Sequence, residues 1–180
     1  MKNNYKNIFD LVYDEFEKAN IAYVLVGGFS LGAYGVMRQT MDVDFIINEK
    51  DLSCAKKILE KTGYKEYMTH DIFSRFTHDN VEMMDVDLLL IEEITLNKIL
   101  EKCKNILISN KEIPVPCLNH LIALKLHAIK NNEKDRIMKD LPDIVSLIRE
   151  NKIDVKTEEF KELSCKFGNR EIYEKLLKFG

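Results

Sequence analysis

Two aspartates stand two residues apart at the head of an apolar run, Asp42 and Asp44 in MDVDFII. In an extended strand, residues i and i+2 point to one side, so the two carboxylates share a face while Val43 and Phe45 take the other. Like charges held that close repel one another unless a cation lies between them. A ligand set made only of oxygens suits Mg²⁺, which uses one or two carboxylates together with substrate phosphates; Mn²⁺ is the alternative hard ion. Alone, such a pair is also compatible with an exposed acidic strand end that binds nothing. A second pair, Asp85 and Asp87, has the same spacing ahead of LLLI, and Gly27-Gly28-Phe29-Ser30 closes the apolar run IAYVLV. Glycines at a strand-to-helix turn either make a plain tight turn or let bare backbone N–H groups approach a phosphate. Carboxylates from two strands beside such a turn can hold two divalent ions, a pair that activates an attacking hydroxyl and stabilises a leaving pyrophosphate.

The elements that would position these groups can be read from the hydrophobic pattern. Ile8, Phe9, Val12, Tyr13 and Phe16 recur at helical spacing within residues 5–18. IAYVLVGG reads as a buried strand, FSLGAYGVM as a short helix weakened by Gly32 and Gly35, and MDVDFII as a strand. DLSCAKKILEKTG is a helix with Asp51 near its start and Gly63 as its C-cap. YKEYMTHDIFSRFTHDN holds one or two short strands with a turn at Asp79-Asn80, and VEMMDVDLLLI is a third clear strand. A helix over 92–103 follows, then ILISNKEIPVP as two short strands around a turn. Beyond Pro116 only helices are expected, over 118–131, 141–150, 158–166 and 169–179. The fold class is therefore α/β (α+β), with an α/β part spanning 1–116 and a helical part spanning 117–180.

Composition narrows the function classes. The 180 residues are 46% hydrophobic and 32% charged, which excludes a disordered chain. A formal net charge of -3 gives no global attraction for nucleic acid, so a polynucleotide partner would need a local basic patch. No run reaches the roughly 18 apolar residues of a membrane span, and the first residues lack the pattern of a signal peptide. Cys54, Cys103, Cys117 and Cys165 are scattered without zinc spacing, as expected of free thiols in a reducing cytoplasm. The four histidines are equally dispersed and give no support for nucleophilic catalysis.

One lysine of the helical part is aimed inward. On a wheel of about 100° per residue with Leu121 at zero, Lys125 falls near 40°, inside the arc of Leu121, Ile122, Leu124, Leu126, Ala128 and Ile129. A lysine there needs a phosphate or carboxylate partner, or must snorkel to the core edge. Asp140, just before Leu141-Pro142, reads as the N-cap of the following helix. Arg38 precedes the acidic strand and either neutralises phosphate or pairs with a surface acid. Thr40 shares a face with Asp42 if the strand starts early.

VGGFSLGAYGVMRQTMDVDFII resembles the GG/GS…R-x-T-x-D-h-D-h segment of the polymerase-β-like nucleotidyltransferase superfamily, and VDLLL resembles its third-carboxylate strand. The resemblance implies a mixed sheet flanked by helices, Mg²⁺-dependent NTP binding and transfer of NMP to an acceptor. It makes Asp42 and Asp44 metal ligands and Gly27, Gly28 and Ser30 nucleotide-phosphate contacts. Asp87, directly before the apolar run, becomes the third carboxylate, with Asp85 as the alternative on the same face. LIALKLHAI…R..KDLPDIVSLI is also similar to the AbiEii/AbiGii toxin nucleotidyltransferases. That similarity implies nucleotide contacts from Lys125 and Asp140, a contribution from Asp143, and engagement of phosphate or RNA by Arg136 and Lys139. It further implies an RNA acceptor such as a tRNA 3′ end, and a cognate antitoxin partner. Two other readings stay open: a small-molecule, antibiotic-type nucleotidyltransferase, and a nucleotide-binding relative without turnover.

Overall fold

The structure, a computed structural model, describes residues 5–80 and 82–179; Val81, read above as the head of a strand, lies outside them. Two compact units are present. The first takes the chain up to Ser30 and again from Arg38 to Pro116; the second takes Leu31–Met37 and the chain from Cys117 onward.

In the first unit, α1 (Ile8–Lys18) starts where the Asn7 side chain accepts a hydrogen bond from Asp10 N at 2.9 Å. There follow β1 (Tyr23–Val26), the single-turn α2 (Gly27–Ser30), β2 (Asp42–Asn48) and α3 (Leu52–Thr62). Gly63, in the left-handed region at φ 107°, ends α3 as the sequence predicts. A hairpin of β3 (Tyr64–His70) and β4 (Phe73–His78) comes next, then β5 (Asp85–Ile91), α4 (Glu93–Leu100), and a second hairpin of β6 (Lys104–Ile108) and β7 (Lys111–Val115). Ser109 and Asn110, both at positive φ (50° and 63°), make the two-residue turn that matches strand twist.

Among the described residues, β1 to β5 form one mixed sheet in the order β1-β2-β5-β4-β3. Only β2 and β5 run parallel; the other neighbours are antiparallel. This is the mixed sheet flanked by helices that the family resemblance implies. Directly paired residues share a face, which sorts the side chains cleanly. On one face Leu25, Phe45 and Leu88 are cross-strand partners, continued by Ser74 of β4, and all four are fully buried. Phe45 packs edge-to-face on Phe9 of α1 (6.4 Å) and on Tyr23 (5.7 Å), and Phe9 in turn meets Phe29 of α2 (5.1 Å). The opposite face carries Asp42, Asp44, Asp85 and Asp87.

The second unit contains α5 (Leu118–Asn131), α6 (Glu133–Glu150), α7 (Glu158–Phe167) and α8 (Arg170–Leu176), around a core that includes Leu31, Leu126, Ile144, Leu147, Phe160 and Leu176. One sequence expectation fails here. Asp140 is not an N-cap, because α6 begins seven residues before it and runs through Pro142. Proline removes one N–H from the ladder, freeing the carbonyl four residues back. That carbonyl belongs to Met138, whose side chain is 82% exposed, and Pro142 is itself exposed, so water can take the lost bond.

The aromatic cluster under β2 is the support of the acidic strand. Phe45→Ala is expected to cost about 3–5 kcal/mol of stability, the range for emptying a fully buried aromatic position. Urea unfolding should show a lowered midpoint at unchanged slope; a loss below about 1 kcal/mol would place the core elsewhere.

Candidate functional site

The parallel pairing of β2 and β5 sets Asp42 opposite Asp85 and Asp44 opposite Asp87. Of these four, Asp42, Asp44 and Asp87 each bring a carboxylate oxygen into a group whose members lie within 4.8 Å of one another. Asp85 is engaged otherwise: its Oδ1 accepts from the Thr77 hydroxyl at 2.7 Å. Asp87 is buried, while Asp42 and Asp44 are partly exposed. Three carboxylates at this separation, two of them reachable by solvent, are a donor set that fits a hard divalent cation.

Neighbouring groups fix the carboxylates individually. Thr40 Oγ1 donates to Asp42 Oδ1 at 2.6 Å; β2 starts only at Asp42, so the threonine lies ahead of the strand and not on its face, yet its hydroxyl reaches the first carboxylate. Asp44 lies against Gly27. A Cβ on Gly27 would stand 1.8 Å from Asp44 Oδ2, and Gly27 also has φ +66°. Only glycine satisfies both conditions. A Cβ on Gly28 would meet Arg38 Nη2 at 2.8 Å and Thr40 Cβ at 2.9 Å, so these two side chains close over the second glycine. Ser30 is fully buried, and its hydroxyl donates to the Gly27 carbonyl at 2.9 Å, bracing the turn. The residues named from GG…R-x-T-x-D-x-D therefore form one contiguous cluster in the first unit.

Two groups beside this cluster escaped the sequence reading. Arg75 of β4 is the cross-strand partner of Asp87, with Nε 3.0 Å from Asp87 Oδ2. Tyr67 of β3 sits where the β3–β4 register shifts. Burial pushes its phenol pKa up, and the negative charge of Asp87 adds to that, with Arg75 opposing. The available signal was the alternation Phe73-x-Arg75-x-Thr77 in FSRFTH, which sets an arginine on one strand face. Nothing local says that this face adjoins the third carboxylate.

In the second unit, Lys125 is buried as its helical phase predicts, and carboxylates hold it. Its Nζ donates to Asp140 Oδ1 at 3.1 Å and to Asp143 Oδ2 at 2.7 Å. Arg136 Nη1 stands 3.7 Å from Asp140 Oδ2, giving a network of two cations and two anions between α5 and α6. Lys139 of α6 is half-buried and takes part in none of the ion pairs seen among the described residues. No helix among the described residues is long and apolar enough to cross a membrane.

Known proteins share this architecture. The antibiotic-resistance factor ANT(2'')-Ia superposes with a TM-score of 0.66 at 13% identity, over 95% of this chain and 94% of its own. The lincosamide antibiotic adenylyltransferase LnuA gives 0.55 at 16% identity, over 78% of this chain and 93% of its own. An antigenic nucleotidyltransferase-like protein from Paracoccidioides brasiliensis gives 0.57 at 14% identity, covering 95% and 90%. At such identities the likeness is one of fold. No curated protein matches the sequence. The sequence does match a family described as uncharacterised nucleotidyltransferase, over residues 3–179, and with that span and this fold the chain belongs to that nucleotidyltransferase family.

Proposed function

We propose that the protein transfers a nucleoside monophosphate from an NTP to an acceptor hydroxyl, with Mg²⁺ held by Asp42, Asp44 and Asp87. The observation that carries this reading is the convergence of three carboxylates from two parallel strands within 4.8 Å. Bound there, divalent ions would neutralise the charge of the phosphates and of the attacking oxygen. Thr40 orients Asp42, and Gly27 leaves Asp44 the space it needs. Asp87 takes the proton of the acceptor hydroxyl. The acceptor oxygen bonds to the α-phosphorus, the bond from that phosphorus to the β-phosphate oxygen breaks, and pyrophosphate leaves. Gly27, Gly28, Ser30, Arg38 and Thr40 are proposed nucleotide contacts on the family resemblance, as are Lys125 and Asp140 of the helical unit, with Asp143 contributing and Arg136 and Lys139 engaging phosphate or RNA. On that resemblance the preferred acceptor is RNA, in particular a tRNA 3′ end, with the protein acting as the toxin of a toxin–antitoxin pair. A small-molecule acceptor is the second reading, favoured by fold neighbours described as antibiotic-modifying or antibiotic-resistance proteins.

Replacing Asp42 and Asp44 together by asparagine is expected to cut Mg²⁺-dependent pyrophosphate release on the order of a thousandfold, the scale of several kcal/mol of charge stabilisation. Labelled NTP offered with purified tRNA, and separately with aminoglycosides or lincosamides, identifies the acceptor by where the label lands. A wild type that binds Mg²⁺–NTP yet transfers to nothing would sink the catalytic reading. Lys125→Met tests the helical unit: leaving Asp140 and Asp143 uncompensated should lower stability by about 3–5 kcal/mol. If Lys125 also contacts phosphate, KM for the NTP rises at least tenfold. A KM unchanged beside a lowered melting temperature assigns the lysine to the scaffold alone.

A further inference from the structure

Arg75 has no place in the motif that names the other site residues, yet it stands directly against the triad. It comes from β4, the neighbour of β5 on the side away from β2, and antiparallel register sets it opposite Asp87. Its Nε lies 3.0 Å from Asp87 Oδ2. The contact is ionic, since this buried Nε makes no aligned hydrogen bond. The guanidinium is held from behind, with its central carbon 4.8 Å from the centre of the Phe73 ring. Phe73 is stacked in turn on His70, its partner across the hairpin, at 5.5 Å and 14° between planes. Ring, ring, guanidinium and carboxylate thus form a ladder from the hairpin tip to the third aspartate. A planar guanidinium suits this place because it can lie flat on an aromatic face and meet a carboxylate with its edge; a lysine ammonium cannot do both.

We propose that Arg75 is a positioning residue for Asp87, holding one carboxylate oxygen so that the group keeps a single rotation toward Asp42 and Asp44. The inference rests on the nucleotidyl-transfer reading for its catalytic consequence and on the β4–β5 geometry for its structural one. Asp87 bears the acceptor's proton in that reading, and small misplacements of a reacting group cost far more rate than binding. The arginine also sets one positive charge beside three negative ones, which eases the repulsion that would otherwise splay the triad. The bland alternative is an ion pair that merely ties β4 to β5. Such a pair would move stability and leave turnover alone.

The test compares Arg75→Gln, Arg75→Lys and Phe73→Leu with the wild type at matched folded fraction, verified by circular dichroism. Arg75→Gln should lower kcat roughly tenfold to a hundredfold while KM for the NTP stays within about twofold. Arg75→Lys should recover only part of the loss, because the charge returns without the flat group that rests on Phe73. Phe73→Leu keeps Arg75 but removes its support, and should lose about threefold in kcat alone. A second arm needs no turnover: Mn²⁺ affinity, read by electron paramagnetic resonance, for wild type, Arg75→Gln, Asp87→Asn and the double variant. If Arg75 positions Asp87, the affinity lost through Asp87→Asn is at least about fivefold smaller in the Arg75→Gln background. An unchanged kcat, a KM that worsens in step with kcat, or Mn²⁺ effects that multiply independently each overturn the proposal. Should the wild type release no pyrophosphate with any NTP, the nucleotidyl-transfer reading fails and the Mn²⁺ cycle decides Arg75 by itself.

Discussion

The constraint on which the rest of the first unit depends is the electrostatic cost of holding Asp42, Asp44 and Asp87 within 4.8 Å. At an effective dielectric near 20, two unit charges about 4 Å apart repel by roughly 4 kcal/mol, a large share of the stability of a small domain. A free chain would relax this by turning the carboxylates apart. Here β2 and β5 are locked in register over seven residue pairs, so the backbone cannot separate Asp44 from Asp87. The repulsion is instead eased locally, by the Thr40 hydroxyl on Asp42 and the Arg75 guanidinium beside Asp87. What remains favours a divalent cation.

A sheet can hold such a cluster only if its other face resists distortion. That face is apolar and closely packed: Phe45, Tyr23, Phe9 and Phe16 meet edge-to-face, with centroids 5.7 to 6.4 Å apart among those contacts. Each pair of this kind adds about 0.5–1.5 kcal/mol beyond simple burial. Strand alternation joins the two faces residue by residue, so Val43 and Phe45 are anchored in the core while Asp42 and Asp44 project from it. The acidic cluster and the aromatic core are two sides of one seven-residue strand.

Much of this was legible in the sequence, because it depends on local period. Alternation marked β2 and β5, helical phase pointed Lys125 inward, and Gly63 ended its helix in the left-handed region. What was hidden depends on pairing between distant segments. Arg75 gains meaning only when β4 pairs with β5, and Thr77 meets Asp85 across the same two strands. The error at Asp140 has a different origin. Leu141-Pro142 reads as a helix start, whereas the exposed position of Pro142 lets α6 continue through it. Asp140 is thereby kept on the inner side of a continuous helix, three residues from Asp143, so that both reach the same ammonium.

The paired glycines show how a motif can carry more than one constraint. From sequence, Gly27-Gly28 leaves backbone bare for a phosphate. The structure adds a demand from the protein itself, since Gly27 yields its side-chain space to Asp44, and Gly28 yields its own to Arg38 and Thr40. An alanine at the first position would strike the carboxylate and also strain a backbone at φ +66°. The two requirements act together. The space that lets Asp44 lie close to the turn also brings its carboxylate beside the backbone of α2. Gly27 thereby sets how near the turn the second carboxylate of the triad can lie, a position fixed by the shape of the backbone itself.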